Sequence, residues 1–172
     1  SELRRILKDH PELAQYVLEV DTVGSERGLY RKSHFQEMKV GFRKLQAMGI
    51  KIRSHHGETW NTLRKGIQAV DNAMNIWHVD AVEHGLSLGI NPNFYYHSLF
   101  QRVVDQNRQG LALDSDSLEA REVQAMDWNQ REKVLDKLLN GQVLNEKELL
   151  TFTKTKFHMA REVEHYQHDI LN

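Results

Sequence analysis

The stretch that decides the fold is IKIRSHHGETW, residues 50–60. It starts with strict alternation, so an extended chain would carry Ile50 and Ile52 on one face and Lys51 and Arg53 on the other. Two histidines, a glycine and a glutamate follow at once. The pattern predicts a β-strand whose carboxyl end bears side chains able to act as acids, bases or metal ligands.

Two other stretches complete a sheet. YVLEVD (residues 16–21) and VDAVEH (79–84) are strand candidates, and the intervals on either side of residues 50–55 carry apolar residues at helical spacing. Strand, helix, strand, helix, strand forms two right-handed crossover units. We therefore expect an α/β fold, a partial (β/α) barrel of about three parallel strands (16–21, 50–55 and 79–84) with flanking helices. The helical stripes are Phe35, Met38, Phe42 and Leu45, then Leu63, Ile67, Val70 and Met74.

The pleat of these strands predicts one charged face and one apolar face. A parallel sheet is normally apolar on both faces, so the charges need partners. We expect the charged face to be a barrel interior in which opposite charges on neighbouring strands meet. This face would hold Glu19, Asp21, Lys51, Arg53, His55, Asp80 and His84, and the helix-facing side Leu18, Val20, Ile50, Ile52, Val79 and Ala81.

The second half of the chain has no convincing strand. Asn91 can cap a helix that starts at Pro92 and carries an aromatic stripe with Tyr96 and Phe100. Further helices are predicted over about 118–139 and 146–170. The expected organisation is a partial (β/α) barrel unit over residues 1–90 and a helical insertion or extension over residues 91–172.

Bulk composition narrows the function classes. The 172 residues include 23 basic and 24 acidic side chains, which leaves no field to attract nucleic acid or an anionic membrane. The absence of cysteine rules out disulfides and thiolate metal sites. No apolar run approaches the roughly 20 residues of a membrane span. We expect a cytoplasmic protein.

Three short motifs follow the ends of consecutive predicted strands. They are DTVGSE (21–26), HHGE (55–58) and HG (84–85). In this order they resemble the adenosine deaminase family of metal-dependent hydrolases, whose barrel carries Asp-x-x-Gly-x-Glu, His-x-Gly-Glu and His-Gly. The resemblance covers about residues 16–90. It implies a zinc-dependent barrel enzyme that hydrolytically deaminates a purine nucleoside or base.

The resemblance also implies roles for individual residues. His55 corresponds to a metal ligand, Glu58 to the acid that protonates the purine ring nitrogen, and His84 to the histidine that orients the metal-bound water. Gly24 corresponds to the glycine whose backbone approaches the nucleobase. His56 stands where the family usually has a small residue. The chemistry is coherent, because a divalent metal lowers the pKa of its bound water to about 7.

Other parts of the family pattern are missing. The chain has no His-x-His pair and no strand that leads into a metal-binding aspartate. One histidine cannot hold a catalytic zinc, which needs about three protein ligands. We therefore expect a middle piece of a longer deaminase, holding its fourth to sixth strands and retaining zinc weakly. Its partners would be a purine nucleoside-like molecule and the rest of the parent barrel or copies of itself.

Two non-catalytic alternatives remain. Glu162, His165 and His168 recur at i, i+3 and i+6 and loosely share one helix face, as in helical metal centres, although such centres need the motif twice. A helical interaction module is the other alternative, with Tyr96 and Phe100 contacting a partner. For both sets the simpler interpretations are a solvated face and a helix core, respectively.

Overall fold

A computed structural model describes residues 2–26, 32–127 and 131–172. The chain begins with α1 (Glu2–Asp9) and a 3-10 helix (Pro11–Tyr16), followed by β1 (Glu19–Thr22), α2 (Lys32–Gln46), β2 (Lys51–His56), α3 (Leu63–Asp71), a π-helical turn (Asn72–Ile76) and β3 (Ala81–His84). The remaining elements are α4 (Leu86–Gly89), α5 (Pro92–Arg108), α6 (Leu118–Ala125), α7 (Arg131–Leu139) and α8 (Glu146–Leu171).

Contacts divide the chain into two compact units. The sheet unit comprises the chain up to Trp60 together with Lys65–Leu88, and the helical unit comprises Asn61–Arg64 together with Gly89–Asn172. The predicted segments were 1–90 and 91–172. The grouping of residues 61–64 with the helical unit was not predicted.

The sheet unit contains a three-stranded parallel sheet in the order β1-β2-β3. The predicted α/β class and parallel sheet are thus confirmed. β1 is shorter than predicted, because Tyr16 ends a 3-10 helix and the strand starts at Glu19. The core on the helix side is formed by Phe42, Ile52, Ala73 and Trp77, with Val20, Phe35, Met38, Leu45, Val79 and Val82 packed against it.

The opposite face of the sheet is charged. Arg53 on the central strand pairs with Glu19 of β1 at 2.7 Å and with Glu83 of β3 at 2.5 Å. Opposite charges on neighbouring strands therefore meet, as the pleat of β1 and β2 predicts. Arg53 keeps 43% of its side-chain surface exposed, so both ion pairs are accessible to solvent.

The predicted facing of residues 79–84 is correct for Val79, which packs against the helix-side core, and wrong for Ala81. Ala81, expected on the helix side, is the register partner of Arg53, whereas Val82 packs against the core. Asp80, expected on the charged face, precedes the strand, and its carboxylate accepts a 2.8 Å hydrogen bond from the Ile52 amide.

The second apolar stripe is correct only in part. Leu63, Ile67 and Val70 are buried, but Met74 is 42% exposed. Met74 lies in the π-helical turn that continues α3. A π turn holds more residues than an α turn, so a residue placed on the stripe by α-helical spacing rotates away from it.

The helical unit buries the predicted aromatic stripe. The Asn91 side chain accepts a 3.0 Å hydrogen bond from the Phe94 amide and caps α5, as predicted. Tyr96 and Phe100 are 0% and 2% exposed, and the Phe100 ring lies 4.5 Å from that of Phe152 on α8. The stripe is therefore core and not a partner surface.

The helix predicted over 118–139 is interrupted. Ser117 caps α6, which ends at Ala125, and Met126 has an extended backbone (φ −72°, ψ 132°). The Met126 side chain is nevertheless fully buried. Residues 128–130 lie outside the described part of the chain, and α7 begins after them.

Within residues 2–26, 32–127 and 131–172, no helix combines the length and the apolar character that a transmembrane span requires.

Candidate catalytic site at the carboxyl end of the sheet

His55 lies near the end of β2 on the charged face. Its Nδ1 is 3.2 Å from the Asp21 carboxylate and 3.2 Å from the carbonyl oxygen of Thr22, both on the neighbouring strand. Two acceptors at Nδ1 favour the tautomer with the proton on that nitrogen, which leaves Nε2 with its lone pair. A carboxylate or carbonyl behind a histidine in this way is the usual support of a metal-binding imidazole.

His84 ends β3 and has a strained backbone. Alternation along the strand would put it on the side of Val82, but its φ is +73°, a left-handed conformation that a non-glycine residue rarely adopts. Its ring centroid lies 5.0 Å from that of His55. A left-handed residue persists only where the surroundings hold it, and such residues concentrate at functional sites.

Glu58 follows β2 in the loop that leads towards α3. Its carboxylate lies 3.5 Å from His84 Nε2, and the two side chains are 50% and 35% exposed. The site therefore contains two carboxylate–imidazole pairs, Asp21 with His55 and Glu58 with His84. The centroids of the two imidazole rings are 5.0 Å apart, so both pairs lie together at the carboxyl ends of β2 and β3.

The loop that carries Glu58 is held tightly. Gly57 has φ +75°, and a Cβ there would lie 2.6 Å from both Val70 Cγ2 and Ser87 Oγ, so only glycine fits. The amides of Gly57, Glu58 and Thr59 donate to the carboxylate of Glu26 at 2.7, 2.9 and 3.2 Å. Glu26 is 2% exposed.

His56 points to the opposite side of the sheet from His55. It is 1% exposed, and its Nδ1 lies 2.9 Å from Ser54 Oγ. The centroid of its ring lies 5.5 Å from that of the Trp77 ring. Burial lowers the pKa of His56 to about 4, so the ring is neutral at pH 7. Its Nε2 is buried and has no hydrogen-bond partner among the described residues.

Gly24 lines a cleft beside this site. Its φ is +136° and a Cβ there would meet open space, so backbone conformation and not crowding calls for glycine. The cleft has a volume of about 190 Å³. It is lined by Thr22, Val23, Gly24, Ser25, Glu26, His34, Met38, His55 and His56.

The sequence-predicted site residues therefore come close in space. His55, Glu58 and His84 form one cluster, and Gly24 lies in the cleft that His55 also lines. The sequence analysis did not assign Asp21 and Glu26 to the site. Both belong to the DTVGSE motif, so the motif already contained the signal.

A zinc ion needs more ligands than this cluster offers. Within residues 2–26, 32–127 and 131–172, no group of three or more His, Cys, Asp or Glu side chains is arranged to hold a metal ion. His55 has the support expected of one ligand, but catalytic zinc needs about three. The described residues do not fit a complete zinc site.

The alternative metal face on α8 has no support. Glu162 lies 3.8 Å from Arg64, and His165 and His168 are exposed. The described ranges contain no group of side chains arranged to hold a metal ion, so these three residues do not form one.

Comparison of the chain with protein-family models, with curated proteins and with solved structures finds no match.

Proposed function

We propose that this chain contributes part of the active site of a metal-dependent hydrolase. More narrowly, the site belongs to an aminohydrolase that deaminates a purine nucleoside or base, of the kind found in the adenosine deaminase family. The proposal rests on one observation, the convergence of His55, Glu58 and His84 at the carboxyl end of consecutive parallel strands. Enzymes built on parallel barrels keep their catalytic residues at this end.

The proposed roles follow from the surroundings of each side chain. Glu58 is half-exposed and faces His84, so it is accessible to a substrate and can supply a proton to a ring nitrogen. His84 is the base or orienting group for the attacking water. His55, supported by Asp21, is a ligand through Nε2. When bound, zinc would supply activation of the water.

The charged face supports a barrel interior. The ion pairs of Arg53 with Glu19 and Glu83 lie side by side across three strands, where a closed barrel would enclose them. We propose that these strands are a middle section of an eight-stranded barrel. The missing metal ligands would then come from its other strands, and this chain by itself would bind zinc weakly and would not deaminate.

The sharpest test uses the full gene product. We expect its sequence to contain a His-x-His pair on a strand before residue 19 and an aspartate at the end of a strand after residue 84. The purified product should release ammonia from adenosine or another aminopurine. Glu58→Gln should lower kcat by about 100-fold or more, the usual contribution of a positioned general acid.

The matched control is Glu37→Gln, which removes the same charge from an exposed position on α2. It should leave kcat unchanged. A gene product without further strands, or one in which Glu58→Gln and Glu37→Gln behave alike, would contradict the proposal.

A further inference from the structure

Glu26 is a buried carboxylate with a single set of partners. Its two oxygens accept three backbone hydrogen bonds from Gly57, Glu58 and Thr59, at 2.7 to 3.2 Å. A buried carboxylate costs free energy unless such donors compensate it. The three amides come from consecutive residues, so their shared acceptor fixes the path of the whole turn.

We propose that Glu26 is a positioning residue that directs the Glu58 side chain towards His84. Glu26 ends the DTVGSE motif after β1, whereas Glu58 follows β2, so the contact joins the loops of two neighbouring strands. The inference rests on the proposed function, because it assigns Glu26 to the same site.

Backbone hydrogen bonds hold the loop from the other side. The Ser87 amide donates to the Gly57 carbonyl at 2.9 Å, and the Gly85 amide donates to the His56 carbonyl at 2.9 Å. These bonds fix the start of the turn relative to β3. They do not involve the amides of Glu58 and Thr59, for which Glu26 is the acceptor. The orientation of the Glu58 backbone therefore depends on Glu26.

The test is NMR on the 172-residue chain at constant pH 7, without substrate or metal. In Glu26→Gln one carboxylate oxygen becomes an amide group that cannot accept a hydrogen bond. The amides that lose their acceptor, either Gly57 alone or Glu58 and Thr59 together, should exchange at least about 10-fold faster, since each 1.4 kcal/mol of lost hydrogen bonding is tenfold. The Glu37→Gln variant should exchange as the wild type does.

A second readout separates positioning from simple bracing of the loop. Glu58→Gln should shift the imidazole ¹⁵N and ¹H resonances of His84. If Glu26 directs Glu58, then Glu26→Gln should shift them in the same direction, and the double variant should add nothing. Thermal unfolding of each variant checks that the fold survives, and Glu26→Asp, which keeps the charge, should recover part of the His84 signal.

Two outcomes would overturn the inference. Unchanged exchange at all three amides would mean that Glu26 does not hold the loop, and faster exchange with unchanged His84 resonances would mean that it does not direct Glu58. Neither measurement involves catalysis, so the inference can fail while the deaminase proposal stands. The reverse also holds: a gene product that releases no ammonia leaves these NMR results intact.

Discussion

The two units of the chain differ in whether their buried polar groups have hydrogen-bond partners. In the helical unit the buried carboxylate of Glu122 accepts hydrogen bonds from the Leu63 amide at 2.6 Å, Tyr95 Oη at 2.8 Å and Tyr96 Oη at 3.3 Å. In the sheet unit, His56 Nε2 and Trp77 Nε1 are buried with no partner among the described residues.

Backbone strain follows the same division. The two non-glycine residues with positive φ in the described chain, His78 and His84, are both in the sheet unit. Unsatisfied groups and strain usually reduce stability and persist where function requires them. Among the described residues, the unsatisfied buried groups and the strained non-glycine backbone thus lie together in the sheet unit.

The largest expected effect tests the core of the helical unit. Phe152 is 0% exposed and packs on Phe100, so Phe152→Ala should lower the free energy of unfolding by about 3–5 kcal/mol. Phe157→Ala is the control on the same helix, because Phe157 is 64% exposed and should cost within about 0.5 kcal/mol. Urea denaturation measures both. Equal effects would mean that α8 does not pack as described.

Acidification should weaken the sheet unit. Burial lowers the pKa of His56 to about 4, so the unfolded chain takes up this proton at higher pH than the folded chain. Stability is then lost as the pH falls from about 6.5 to about 4, by up to about 3 kcal/mol. The Trp77 indole NMR signal, followed in urea at several pH values, reports this unit. His56→Gln should abolish the loss of stability between pH 6.5 and 4 that His56 causes. A wild-type pH profile that matches that of the variant would contradict the prediction.

The helical unit should show the opposite slope. Burial raises the pKa of Glu122, against the hydrogen bonds from Leu63, Tyr95 and Tyr96, which lower it. The folded state therefore holds the proton more tightly, and stability falls as the pH rises from about 4.5 to the raised value. Urea unfolding of Glu122→Gln and of the wild type over the same pH range measures this effect. The variant should lack the fall in stability with rising pH, and an unchanged slope would contradict the prediction.

The smallest effect concerns the charged face of the sheet. Arg53→Met removes two ion pairs that are more than one-third exposed, so it should cost about 1 kcal/mol or less in this chain. The same change in the full gene product should cost about 3–5 kcal/mol if a barrel encloses the face, because two carboxylates would be left unpaired. Equal small costs in both would argue against enclosure.

The sequence predicts the sheet better than its details. Alternation in Ile50–His55 gives the correct faces of β2, because a half-buried strand must separate apolar from charged residues. It fails at Ala81 of β3, beside Asp80, whose side chain accepts a hydrogen bond from the Ile52 amide just before the strand begins. Such a contact between residues distant in sequence has no period and cannot be read from a pattern.

The site shows the same limit. The three motifs identify His55, Glu58 and His84, but alternation alone puts His84 on the face of Val82, and only its left-handed backbone accounts for its place beside His55. The role of Glu26 was missed for a similar reason. The DTVGSE motif includes Glu26, but its partners are backbone amides, which every residue possesses, so the sequence does not show what Glu26 binds.

The grouping of Asn61–Arg64 with the helical unit has a practical consequence for anyone who wishes to dissect this protein. Proteolysis or truncation at Leu88 yields neither unit intact. Residues 61–64 group with the helical unit, although they lie within the sequence of the sheet unit. A polypeptide starting at Gly89 would lose the Leu63 amide and leave Glu122 with two phenols alone. A fusion in which a short linker replaces residues 65–88 and joins Asn61–Arg64 to Gly89–Asn172 is the cleaner route to an autonomous helical piece.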